Sequence, residues 1–168
     1  VRDRVFALSI HLPAQFNVAR IYAFDVTERK MAADTLRRLA TVLRDSNDAI
    51  MVHDFEGNIT VWNHGAERMF GWTEAEALQM KIRDTIPAEK LAEALAYLEN
   101  LHLGEPVSPF ETKRITKDGR ILDVWQTATV LVDDTGKPVA VATTERDITE
   151  RKRIEEAIVR ARDEWERT

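Results

Sequence analysis

Glu145-Arg-Asp-Ile-Thr-Glu-Arg-Lys152 lies between a strand-like run, Val139-Ala-Val-Ala-Thr-Thr144, and a charged helical one, Arg153-Ile-Glu-Glu-Ala-Ile-Val159. It therefore reads as a strand-to-helix joint. Asp147 with Glu150 three residues on has the spacing of an N-cap and capping box, in which side-chain oxygens satisfy the free N–H groups of the first helical turn. The chain carries this joint twice, since Phe24-Asp-Val-Thr-Glu-Arg-Lys30 matches Arg146-Asp-Ile-Thr-Glu-Arg-Lys152 at a distance of 122 residues, the length of one small domain plus a linker. Both following helices keep one register. Ala32, Leu36, Leu39 and Leu43 after the first joint, and Ile154, Ile158, Ala161 and Trp165 after the second, step by four, three and four, the spacing of a two-stranded coiled-coil seam.

At 168 residues, 44% hydrophobic and 32% charged, the chain is long enough for one good core and too short for two. A net charge of −5 argues against nucleic acid, whose phosphates need a basic face. Zero cysteines exclude disulfides, thiolate metal sites and any photochemistry through a cysteinyl adduct. No apolar run is long enough to span a bilayer, so no membrane contact and a cytoplasmic setting are expected. The chain starts at Val1 in mid-pattern and is expected to be a piece of something longer.

Working outward from the joint, residues 1–30 read as two strands broken at Pro13, Val5–Ile10 and Val18–Phe24, and by the repeat they are the tail of a preceding domain. Residues 31–46 read as a linker helix. Within 47–148 come two short strands around the turn at Gly57, a helix capped by Asn63 and stopped at Gly71, a capping box at Thr73 and Glu76, and a longer helix from Pro87 to Leu103. That helix is expected to carry Leu91, Leu95, Leu98 and Leu101 on one face. Three strands follow, over 110–116, 121–132 and 139–146, and residues 149–168 form the C-terminal helix. The order predicts an α+β fold: a five-stranded antiparallel sheet with short helices on one face.

Residues 37–152 resemble a PAS sensory domain. The residues that carry the resemblance are Trp62-Asn63, Ala66-Glu67, Phe70-Gly71-Trp72, Lys117-Asp-Gly119 and Asp147-Ile-Thr149. The wording of 36–72 is similar to PAS modules beside bacterial histidine kinases and beside chemotaxis methylesterase–methyltransferase fusions. The resemblance implies a sensor or dimerisation module with a pocket between the helices 64–103 and the inner sheet face. Strict alternation groups Ile59 with Val61 opposite Thr60 and Trp62, and Val124, Gln126 and Ala128 opposite Trp125 and Thr127. If the first sets line the pocket, Trp62 and Trp125 lie on the outer face, where helix 31–45 would cover them. The alternative puts both tryptophans in the core.

Haem-binding PAS domains similar to this one use a histidine in the long helix before the third strand. Ala92–Leu98 has none, and His102 sits at the helix end. Haem is thus disfavoured, the absence of cysteine disfavours cysteinyl flavin, non-covalent FAD stays open although no residue speaks for it, and no cofactor is expected. His11, His53 and His64 show no metal-ligand spacing and read as ordinary surface or strand histidines. Tyr97, Phe110, Thr112, Gln126 and Thr143 are the candidates for a small organic ligand, and Gln126 in particular needs a hydrogen-bond partner. An interior filled by its own side chains is the alternative. No nucleophile elbow, phosphate loop or His-Glu-x-x-His motif supports catalysis, and most of the carboxylates read as caps, turns and solvated faces.

The expected function is therefore non-enzymatic: a signal-sensing and dimerising module of a bacterial signalling protein. Asp147, Ile148 and Thr149 would relay a pocket or neighbour-domain signal to the helix, and beyond it to an output domain, a histidine kinase foremost and a chemotaxis methyltransferase fusion second. Leu36, Leu39, Leu43, Trp62, Trp125, Ile154, Ile158 and Trp165 are the candidate homodimer contacts, and neighbouring PAS and output domains the other partners. The competing function is a ligand-free dimerisation spacer.

Overall fold

The computed structural model describes residues 4–11, 20–105 and 107–166. Two units result, 1–42 and 43–168. In the first, β1 (Phe6–His11) pairs antiparallel with β2 (Arg20–Asp25), Phe6 opposite Asp25. The expected break at Pro13 and the strand start at Val18 lie outside the described residues. A helix, α1 (Thr27–Arg44), follows with none of its residues buried.

In the second unit β3 (Ala49–His53), β4 (Ile59–Trp62), β5 (Phe110–Ile115), β6 (Ile121–Val132) and β7 (Pro138–Asp147) form one antiparallel sheet in the order β4-β3-β7-β6-β5. The chain's first and last strands of this sheet, β3 and β7, lie side by side at its centre. Between β4 and β5 come α2 (His64–Phe70), α3 (Glu74–Ala77), two 3-10 turns at Ile82–Thr85 and Ala88–Lys90, and α4 (Leu91–His102). The last helix, α5, spans Thr149–Glu166.

Local chemistry explains these boundaries. Asn63 Oδ1 caps α2 by accepting from Ala66 N–H at 2.8 Å and also takes Ile50 N–H at 2.9 Å, while its amide donates to the Leu43 and Asp48 carbonyls. One side chain thus ties helix start, strand start and incoming chain together. Gly71 stops α2 in the left-handed region at φ 87°, which disfavours a side chain. Gly65 is required for space, because a Cβ there would lie 2.3 Å from the Asp48 carbonyl oxygen. Thr73 and Glu76 exchange the two hydrogen bonds of the capping box. The 87–103 segment differs from its expected form: it opens as a 3-10 turn, and Leu95 is 57% exposed. Leu91, Leu98 and Leu101 face inward as expected, together with Ala94 and Tyr97, and Leu95 borders the same interior from the edge of that face.

Candidate functional site

The interior divides into a filled half and a hollow half. Ala49, Met51, Ile59, Trp62, Ala66, Phe70 and Ala77 pack one cluster beneath β3 and β4, with the Trp62 and Phe70 ring centroids 5.3 Å apart. Trp62, only 2% exposed, is inside the domain, with its indole N–H donating to the Trp72 carbonyl at 3.0 Å. Its expected place on the outer sheet face is corrected, and with it the expected dimer contact. The cause is a β-bulge: His53 faces Ile59 but Val52 faces Val61, so Thr60 is an extra residue that puts Ile59 and Trp62 on the same side. Trp125, on a strand segment without such an insertion, does face outward and is 41% exposed.

The hollow half lies between α4 and strands β5, β6 and β7, a cavity of about 60 Å³. Tyr97, Phe110, Thr112, Gln126 and Thr143 all stand on its wall, and the Tyr97 and Phe110 rings stack tilted at 4.7 Å. His53, Arg114 and Glu145 join them. Arg114 and Glu145 form a buried ion pair at 2.7 Å, and the guanidinium also donates to Gln126 Oε1 and to the Lys113 carbonyl. Gln126 therefore finds its partner within the protein. Glu145 is fully buried, an exception to the reading of most carboxylates as caps, turns and solvated faces. Arg114 and Glu145 were missed because charge was taken for exposure, and His53 because only metal-ligand spacing was asked of it. Alternation could have found them, since Arg114 is in phase with Thr112, Glu145 with Thr143, and His53 with Met51.

Burial, the largest effect, pushes the His53 pKa below the ordinary histidine value, which keeps the imidazole neutral, and Nδ1 donates to the Asp54 carbonyl at 2.9 Å. Burial also raises the Tyr97 phenol, which stays an O–H. Among the described residues, three buried side-chain polar atoms make no hydrogen bond: Tyr97 OH, Thr143 Oγ1 and Glu145 Oε2. All three belong to the cavity wall. Haem does not fit here: pockets for ligands far smaller than a porphyrin run to roughly 300–1,000 Å³, and the α4 histidine, His102, packs edge-on against Phe55 away from this wall. A flavin ring system meets the same limit of volume. The other histidines build no metal site; His64 Nδ1 pairs with Glu67 Oε2 at 2.8 Å, and no group of three potential ligands occurs among the described residues.

The joint leaves from the cavity. Glu145 is two residues before Asp147 on β7, and Asp147 Oδ1 accepts from Thr149 N–H at 2.9 Å. Ile148 N–H donates to the Asp123 carbonyl at 2.9 Å, and Thr149 Oγ1 accepts from Asp123 N–H at 2.9 Å and donates to its carbonyl at 3.4 Å. Among the described residues Glu150 returns no bond to Asp147, so the expected capping box is an Asx turn secured by the Thr149 hydroxyl. Glu111 holds Lys152 at 2.5 Å and Arg151 at 3.2 Å, and the hydrogen bond from Lys152 raises that lysine's pKa. Arg146 grips Asp48 by two bonds, 2.9 and 2.7 Å, joining the chain just before α5 to the chain just after α1. These hydrogen bonds from Arg146 hold the Asp48 carboxyl below its usual range.

The first joint repeats the main bonds of the second and adds one, from Thr27 Oγ1 to Asp25 Oδ1 at 2.5 Å. Thr27 N–H meets Asp25 Oδ1 at 3.0 Å, Val26 N–H meets the Val5 carbonyl at 2.9 Å, and Thr27 Oγ1 accepts from Val5 N–H at 2.9 Å. Strand register agrees too, Phe6 facing Asp25 as Val124 faces Asp147. The β1–β2 pair thus has the register of β6–β7 beside its joint.

Residues 37–148 match the family described as the PAS fold. The chain belongs to the PAS family. It is similar to the cell-division control histidine kinase PdhS of Brucella anthropi, 30% identical over 150 residues that cover 86% of this chain and 14% of that protein. It is also similar to the sensor protein FixL of Bradyrhizobium diazoefficiens, 34% identical over 67 residues, 38% of this chain and 13% of that protein. This PAS chain therefore spans about a seventh of the length of the curated relatives it matches. Among solved structures, the PAS domain of a protein from Colwellia psychrerythraea superposes with a TM-score of 0.62 at 23% identity, covering 70% of this chain and 99% of that one. A sensory box histidine kinase/response regulator from Burkholderia thailandensis gives 0.59 at 20%, covering 78% and 99%. No helix among the described residues is long and apolar enough to cross a membrane.

Proposed function

We propose that this PAS chain is a signal-sensing and dimerising module that passes a change at its cavity, or at a neighbouring domain, through Asp147, Ile148 and Thr149 into α5. The observation that carries this is covalent and short: Glu145 on the cavity wall and Asp147 at the joint are two residues apart on one strand. A shift of β7 reaches the helix without an intervening flexible loop. The named relatives are a histidine kinase and a sensor protein, which supports a kinase as the output domain; a chemotaxis methyltransferase fusion is the second candidate. The module itself is read as non-catalytic and cytoplasmic. The repeated joint supports a preceding PAS module ending at residue 30, a linker helix over 31–46, and α5 as the signalling helix.

Thr149→Val removes the hydroxyl that holds the joint to Asp123 and keeps the side-chain shape. Losing such bonds is worth on the order of 1 kcal/mol. Hydrogen-exchange protection of the first turn of α5 is expected to fall about tenfold, while amides of β3 and β7 keep theirs. In a fusion of residues 1–168 to a histidine kinase, basal output should change several-fold. Unchanged exchange at 149–152 together with unchanged output would leave α5 a passive tether and favour the spacer function.

Association is read from the helix seams. Leu36, Leu39 and Leu43 on α1, and Ile154, Ile158 and Trp165 on α5, are all at least half exposed, Trp165 at 86%. Their heptad spacing suits a second copy of the same chain. Ile158→Glu is expected to convert a dimer to a monomer in light scattering at micromolar concentration with the sheet's circular dichroism unchanged. A wild-type chain already monomeric with both helices formed would remove the dimerising part of the proposal.

A further inference from the structure

We infer that the cavity takes a compact, neutral molecule of about four non-hydrogen atoms that presents two N–H or O–H donors, a primary amide being the type case. The inference rests on the proposal above that this cavity is where the module senses.

Its first support is where unsatisfied polarity sits. Buried polar atoms are paired as a rule. Among the described residues the three that are not, Tyr97 OH, Thr143 Oγ1 and Glu145 Oε2, are on this one wall. Glu145 Oε2 belongs to a carboxylate whose other oxygen is engaged by Arg114, so it can only accept. His53 adds a second acceptor, because its Nδ1 hydrogen is committed to the Asp54 carbonyl and Nε2 keeps its lone pair. Two fixed acceptors and two hydroxyls that can turn either way ask the occupant for donors.

Charge and size narrow the class. Arg114 and Glu145 already cancel, so a cation or an anion would bring an uncompensated charge into a buried site. A cavity of about 60 Å³ is well under half of the roughly 150 Å³ that accommodates benzene. Leu98 and Val141 on the wall offer apolar contact to one methyl group beside the polar end.

Acetamide, acetone, acetate and acetamidinium share one four-atom shape and differ in donors and charge. Each is titrated into ¹⁵N-labelled residues 1–168, reading the amides of Thr143, Glu145 and Thr149. Acetamide is expected to shift Thr143 and Glu145 saturably, at least about tenfold more tightly than the other three. Thr143→Val and Tyr97→Phe, which keep volume and fold, should each weaken acetamide about threefold to tenfold and leave acetone unchanged. Acetone binding as well as acetamide, either ion binding more tightly, or no saturable shift with any of the four overturns the inference. Acetamide binding with a silent Thr149 amide upholds the ligand class and sinks the relay instead.

Discussion

Arg114→Met is expected to cost the domain about 3–5 kcal/mol of folding stability, a large share of the roughly 5–15 kcal/mol that such a domain has. The substitution keeps most of the volume but leaves Glu145, fully buried, with neither of its Arg114 hydrogen bonds. Gln126 Oε1 and the Lys113 carbonyl lose their donor at the same time. Removing both charges tells a different story, because burying an ion pair spends on desolvation much of what its attraction returns. Arg114→Met with Glu145→Leu should therefore recover about half or more of the loss, the remainder being the Gln126 and Lys113 acceptors still without their donor, a coupling that urea denaturation of the four proteins measures. A single Arg114→Met chain that unfolds within 1 kcal/mol of the parent would mean that water reaches the pair, and the cavity would then be an open cleft. Retaining an ion pair that adds little stability fits a site whose fixed acceptors serve recognition.

The fold was legible because its signals are local. Asn63, Gly71 and the Thr73–Glu76 box each announce a helix end through chemistry that acts within a few residues, and the structure uses all three as caps. The repeated joint was legible for the same reason, although its true fastening was not. Thr149 acts through Asp123, which is 26 residues away and is brought near only by the pairing of β6 with β7. Long-range pairing also hid the Arg114–Glu145 pair, whose members sit 31 residues apart on strands separated by β6. The five residues from Tyr97 to Thr143 share one cavity wall because they follow simple strand and helix phase. Of the four leucines expected on one face of α4, Leu95 lies at the edge of that face, half in water, because the inward stripe is centred on Leu91, Ala94, Leu98 and Leu101.

Trp62→Ala and Trp125→Ala separate the two faces of the sheet. For Trp62 the expected loss is about 3–5 kcal/mol, the range for removing a large aromatic from a packed core. The indole touches Phe70 within the filled cluster, and its deletion also strands the Trp72 carbonyl. Trp125→Ala is expected to lose less than about 1 kcal/mol, because its ring is partly in water beside Glu111 and Arg146 on the neighbouring strands. Urea midpoints of the two variants decide it. Similar losses for both would mean that strict alternation holds in β4 and that Thr60 is no bulge. The bulge matters for function as well as stability. By turning Trp62 inward it fills the β3–β4 half of the interior with a rigid aromatic cluster, and it leaves the hollow, polar half under β5, β6 and β7. A change in that half is then met by a stiff wall on one side and by β7, which continues into α5, on the other. Trp62→Ala should accordingly raise hydrogen exchange in β3 and β4 more than at Thr149, and the reverse order would place the compliant part of the domain away from the joint.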